Sequence, residues 1–138
     1  MKFNNPSMKE IGELLQNIKT IAVVGLSPKE DRPSHRVSKS MQGFGYRIIP
    51  VRPAIAEALG ETAYPDLYAV PDKIDLVDVF RAPQHVDPIV DACIELNIPA
   101  IWLQDGVINE SAAQRATAAG ITVIMDRCIY RDYLQLMT

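Results

Sequence analysis

The residues best placed to do chemistry lie in the stretch IAVVGLSPKEDRPSHRV, residues 21–37. A β-branched apolar run ends at Gly25, and the loop beyond it carries Ser27, Arg32, Ser34 and Arg36. Glycine adopts backbone conformations closed to other residues and lets a ligand approach the main chain. A hydroxyl can donate to an anion, and a guanidinium grips phosphate through two parallel N–H groups. Amides at a helix N-terminus add a favourable dipole. Together these are the groups that hold a phosphate. The plainer alternative is a solvated charged loop with one capping serine, but the position directly after a strand favours the phosphate. The spacing is G-x-S rather than G-x-G-x-x-G, so the dinucleotide fingerprint is not met.

A second cation, Arg52, follows the next apolar run in PVRP. In nicotinamide-binding sheets an acid at this place holds the ribose hydroxyls, whereas an arginine accommodates a ribose phosphate. No acid occurs here before Glu57, so a phosphorylated ribose is favoured over plain NAD. An exposed turn arginine is the alternative. Phe80 and Arg81 end a further apolar run; a ring and a guanidinium can cover an adenine, or the ring can be core and the arginine solvated. In WLQDG, Gln104 can hydrogen-bond a ligand amide and Gly106 permits close backbone approach.

Other reactive types carry weaker signals. Cys128 lies where it could meet a ligand thiol, although a structural cysteine is the plainer reading. Cys93 reads as core. Asp75 and Asp78 read as satisfied carboxylates rather than catalytic acids. His35 and His85 fall near helix starts, which disfavour imidazolium, and neither has an evident nucleophile or carboxylate partner. No catalytic triad is assigned. Two cysteines without a CxxC, and two distant histidines, offer no metal site and no disulfide framework.

These residues need elements to position them. Ser7 and Glu10 have capping-box spacing before Ile11, Leu14, Leu15 and Ile18, which predicts a helix over 7–17. Strands are expected over 21–25, 46–51, 74–80, 100–104 and 121–125. Pro50 suits the end of a strand. Ser34 is expected to cap a helix with Val37, Met41 and Phe44 inward, stopped by Gly43 and Gly45. Helices are also expected over 84–96, from Asn109 to Gly120, and over 130–137. Residues 54–73 are ambiguous, since Pro65 and Pro71 forbid a long helix. Strands alternate with helices and several strands are continuously apolar, the pattern of a parallel sheet covered on both faces. The expected fold is α/β, a doubly wound parallel five-stranded sheet in a single domain spanning 1–138. Ligands of such sheets bind beyond the carboxyl ends of the strands. That selects 25–36, 51–53, 80–85, 104–109 and 126–128.

Composition narrows the function. The 138 residues carry a net charge of −3, which argues against nucleic-acid binding by a basic surface and leaves only a local cluster for anions. Nothing approaches the length of a membrane span and the polar start lacks a signal-peptide core, so a soluble cytoplasmic protein is expected.

IAVVGLSPKEDRPSHRV, GYRIIPVRP, DLVDVFR and IWLQDGVINESAAQRATAAGITVIMDRC together resemble the small stand-alone CoA-binding proteins of bacteria and archaea. These are similar to the CoA-binding domain of the succinyl-CoA synthetase alpha subunit. The resemblance spans about residues 8–130. It implies a Rossmann-like domain that binds coenzyme A or an acyl-CoA at the strand tips. By matching motifs, Gly25, Ser27, Arg32, Ser34 and Arg36 would handle the phosphates. Val51, Arg52 and Pro53 would lie by the phosphorylated ribose, and Phe80, Arg81, Gln104 and Gly106 would line the rest. The family often has asparagine or serine at Arg52, and a hydrophobic residue at Asp105. The synthetase's active histidine lies outside this domain, so the resemblance implies a binding module without catalysis of its own, with or without a protein partner. The residues alone do not choose coenzyme A over NADP, and an NADP(H)-binding enzyme or redox sensor stays open.

Overall fold

The computed structural model describes residues 2–137. Its strands are β1 (Thr20–Val24), β2 (Arg47–Val51), a short hairpin of β3 (Glu57–Ala58) and β4 (Glu61–Thr62), β5 (Leu76–Val79), β6 (Ala100–Leu103) and β7 (Thr122–Met125). All but the hairpin join one parallel sheet in the order β2-β1-β5-β6-β7. The central strand β5 is buried at every residue, which is why its sequence is almost continuously apolar.

Among the described residues five α-helices cover the sheet: α1 (Met8–Asn17), α2 (Pro33–Gly43), α3 (Val86–Glu95), α4 (Glu110–Ala118) and α5 (Ile129–Met137). On one face, Ile11 and Leu15 of α1, Met41 of α2 and Ile129 of α5 pack with Ile21, Val23, Leu76, Trp102 and Ile124. On the other, Val86, Val90 and Cys93 of α3 and Ala112, Ala113 and Ala116 of α4 pack with Ala22, Val77, Val79 and Ile101. The small residues of α4 let it lie close to the sheet. The expected α/β doubly wound sheet is what forms. From β1 the chain steps outward to β2 and then returns to β5 on β1's other side. The crevice beyond β1 and β5 is thus the switch point where such sheets take ligands.

Several boundaries differ from expectation for physical reasons. The first strand ends at Val24, because Gly25 turns the chain out of the sheet at φ 90°. Ser34 does not cap α2. Arg32 occupies the cap position without a side-chain bond, and Pro33 opens the helix. The Ser34 hydroxyl instead accepts the backbone N–H of Ser27 at 3.0 Å. The helix expected over 84–96 opens with a 3₁₀ turn, Pro83–His85, before α3. The ambiguous 54–73 resolves into the hairpin and a 3₁₀ turn, Leu67–Ala69, capped by Asp66. The capping box of α1 and the Asn109 cap of α4 form as expected.

Both sheet edges are partly covered. Beside β2, Tyr64 donates its N–H to Pro50 at 3.0 Å and accepts from Arg52 N–H at 2.8 Å. Beside β7, the Asn5 side chain accepts the Met125 N–H at 2.8 Å and donates to the Met125 carbonyl at 3.0 Å.

Candidate functional site

The carboxyl ends of β1, β2, β5 and β6 open into a cavity of about 730 Å³. Its geometry starts at Gly25. A Cβ built there would lie 2.4 Å from the Phe80 carbonyl oxygen, so only glycine lets β1 and β5 run so close at their tips. The Gly25 N–H is held by the Val51 carbonyl at 2.9 Å, which ties the turn to β2 as well.

The loop after Gly25 is held by its own hydrogen bonds. Ser34 Oγ accepts from Ser27 N–H at 3.0 Å, and Ser27 Oγ accepts from Lys29 N–H at 3.1 Å. His35 Nδ1 bonds to the Ser27 carbonyl at 3.0 Å. Both serines line the cavity, and each hydroxyl here acts as an acceptor, leaving its proton to donate. The N-terminus of α2 begins in the same wall, at Arg32, Pro33 and Ser34, and its dipole favours an anion.

Four cations, Lys29, Arg32, Arg52 and Arg81, line the cavity. None of them enters an ion pair among the described residues. One acid, Asp105, shares the wall, but Arg131 grips its carboxylate at 2.9 and 3.1 Å. A chain of net charge −3 therefore concentrates uncompensated positive charge at one place.

The wall is completed by Phe80, Val37, Ile55, Val107, Gln104 and Cys128. Cys128 follows Arg127, whose guanidinium holds the buried Asp132 at 2.7 and 2.9 Å and whose carbonyl accepts Trp102 Nε1 at 2.8 Å. Behind Gln104 stands Asp78, only 1% exposed, whose Oδ1 accepts from Gln104 Nε2 at 2.6 Å. Burial pushes the Asp78 carboxyl up to about 7, although the Gln104 bond works the other way. Asp75, by contrast, accepts two backbone N–H groups at the amino end of the sheet, from Lys19 and Thr20.

A second cavity of about 260 Å³ adjoins, mostly apolar, with Val24, Val51, Pro53, Leu67 and Ile89 in its walls. Arg81 belongs to both cavities. Of the residues singled out from sequence, Gly25, Ser27, Arg32, Ser34, Arg52, Phe80, Arg81 and Gln104 meet in the larger cavity. Val51 and Pro53 line the smaller one. Arg36 and Gly106 join neither: the Arg36 guanidinium donates to the Asp31 carbonyl, and the Gly106 N–H donates to Asp126 at 2.7 Å. Lys29 and Val107 also line the larger cavity; both lie in the stretches 25–36 and 104–109 selected by the strand-tip rule but were not singled out there, whereas Ile55 lies outside every selected stretch. No group of histidines, cysteines and carboxylates able to hold a metal occurs among the described residues, and no helix among them is long and apolar enough to cross a membrane.

A family model described as a CoA binding domain matches residues 19–133. A protein of Bacillus subtilis (strain 168) named "Uncharacterized protein YneT" is 50% identical over 125 residues, 91% of this chain and 93% of that protein. An ADP-forming acetate–CoA ligase of Archaeoglobus fulgidus is 29% identical over 75 residues, 54% of this chain but only 11% of the ligase. The solved structure of a hypothetical protein from Pyrococcus horikoshii OT3 superposes with a TM-score of 0.93 at 33% identity, covering 100% of both chains.

Proposed function

The chain belongs to the CoA-binding domain family, and from that premise we propose that it binds coenzyme A or an acyl-CoA at the carboxyl ends of its parallel strands, as a module without a reaction of its own. The observation that carries this reading is the set of four cations around one cavity that enter no ion pair among the described residues. Coenzyme A is a polyanion with a pyrophosphate and a ribose 3′-phosphate, and it needs such a set. In this reading the pyrophosphate lies over the Gly25–Ser34 loop, within reach of Ser27, Lys29, Arg32 and the start of α2. Arg52 takes the ribose phosphate. The adenine enters the apolar second cavity, beneath Arg81, and the pantetheine arm runs past Gln104 and Val107 toward Cys128. The same Arg52 also suits NADP(H), so the ligands must be compared directly.

Calorimetric titration of the pure protein with coenzyme A, dephospho-CoA and NADPH tests the reading. Coenzyme A is expected to bind, and more tightly than dephospho-CoA. Binding of NADPH without a response to coenzyme A replaces the reading with the nicotinamide one. Silence with all three at millimolar concentration overturns it.

A further inference from the structure

A buried acid in a parallel sheet is costly, and Asp78 occupies the central strand with one side-chain hydrogen bond, to Gln104. The register explains the pairing. Asp78 lies opposite Trp102, and Gln104 follows Trp102 by two residues, so both polar side chains share a face of the sheet. Gln104 backbone N–H bonds to the Val79 carbonyl at 3.3 Å, which fixes the base of its side chain. Its amide then folds back to Asp78 while the residue, 3% exposed, lines the ligand cavity.

Asp78 Oδ1 accepts from the amino end of the Gln104 amide, as a carboxylate oxygen or the carbonyl oxygen of the neutral acid can. The carbonyl end, Oε1, has no hydrogen bond among the described residues, and Gln104 lines the cavity. We propose that Asp78 is a positioning residue that draws the Gln104 amino group inward and so fixes Gln104 Oε1 as an acceptor for an amide N–H of the pantetheine arm. This rests on the coenzyme A reading and deepens it. The loop and the arginines recognise the nucleotide half, while the Asp78–Gln104 pair recognises the arm. Without Asp78, Gln104 is free to turn its own N–H groups outward, toward the donors of the arm.

The test compares coenzyme A with adenosine 3′,5′-bisphosphate, which keeps the 3′-phosphate and the first 5′-phosphate and lacks the second phosphate and the arm; each variant is compared with wild type on both ligands. Asp78→Val replaces the buried acid with a strand-forming apolar residue, and thermal unfolding verifies that the variant folds. The variant is expected to bind coenzyme A about tenfold more weakly and the bisphosphate as the wild type does. Gln104→Glu, which in its ionised form cannot donate to Asp78, is expected to lose coenzyme A affinity to a similar extent when assayed at alkaline pH. Combining it with Asp78→Asn restores a donor inside and an acceptor outside, and should return most of the lost affinity. Equal loss for both ligands in Asp78→Val, no loss for either, or an exchange that restores nothing overturns the proposal. Wild-type protein that binds the bisphosphate and gains nothing from the arm also overturns it, with the nucleotide site left standing. Wild-type protein that binds neither ligand overturns the coenzyme A reading itself.

Discussion

Replacing Asp78 by valine should change how stability depends on pH. The Asp78 carboxyl titrates at about 7 in the folded chain against 3.8 for the ordinary side chain, with burial as the main cause. Between those values the folded chain keeps a proton that the unfolded chain has released. The native state binds more protons there, so stability falls as pH rises, by at most about 1.4 kcal/mol per pH unit. Below the window both states are protonated and nothing is lost; above it both are ionised and the loss is complete, at about 4 kcal/mol. Asp78→Val has no such group. The unfolding free energy of the variant minus that of the wild type should therefore grow by about 3 kcal/mol from pH 5 to pH 8, since the window is already partly crossed at the lower value. Urea denaturation of both proteins at each pH gives the difference, and taking it cancels every other titrating group common to the two. A difference that stays flat across the range would show that the carboxylate is charged throughout, and the argument from burial would fail.

Arg52→Ala is expected to weaken coenzyme A about tenfold and leave dephospho-CoA unchanged; equal losses by calorimetry would move the ribose phosphate away from Arg52. Gly25→Ala places a Cβ 2.4 Å from a backbone oxygen at a left-handed φ, and should cost about 3 kcal/mol in denaturant unfolding. Ser7→Ala removes the reciprocal cap of α1 and should cost about 1 kcal/mol without affecting ligand affinity. Raising salt from low to near-molar should weaken coenzyme A several-fold, because the cations of the cavity face solvent when no ligand is bound.

The parts of the fold that were legible in sequence are those with long apolar runs. The runs at 21–25 and 74–80 and the capped helix at 7–17 announced themselves by continuity and by period, and the alternation of the two types implied the parallel sheet. Residues 54–73 were opaque because strands of two residues, such as Glu57–Ala58, have no period to detect. The cap of α2 was misread because Ser34 has the right residue type two residues too late; Pro33, whose fixed φ suits the first helical position, was the better signal. For the site, the strand-tip rule found the loop, Arg52, Arg81 and Gln104 without geometry. It had no means of separating Arg32, which faces the cavity, from Arg36, which turns back to its own loop. Nor does spacing reveal that Asp78 and Gln104 touch, since the contact joins two strands 26 residues apart. The clue was only that an acid stood inside an otherwise apolar run.

The partly covered sheet edges bear on behaviour at high concentration. A bare edge strand offers a row of unpaired amides and carbonyls on which another chain can build, and parallel sheets with exposed margins invite such growth. Here Tyr64 covers the Pro50–Arg52 end of one margin, and a single asparagine side chain, imitating a strand with both its donor and its acceptor, covers Met125 on the other. Asn5 thus blunts the open end of β7, and Asn5→Ala should leave the Met125 N–H and carbonyl open to another chain.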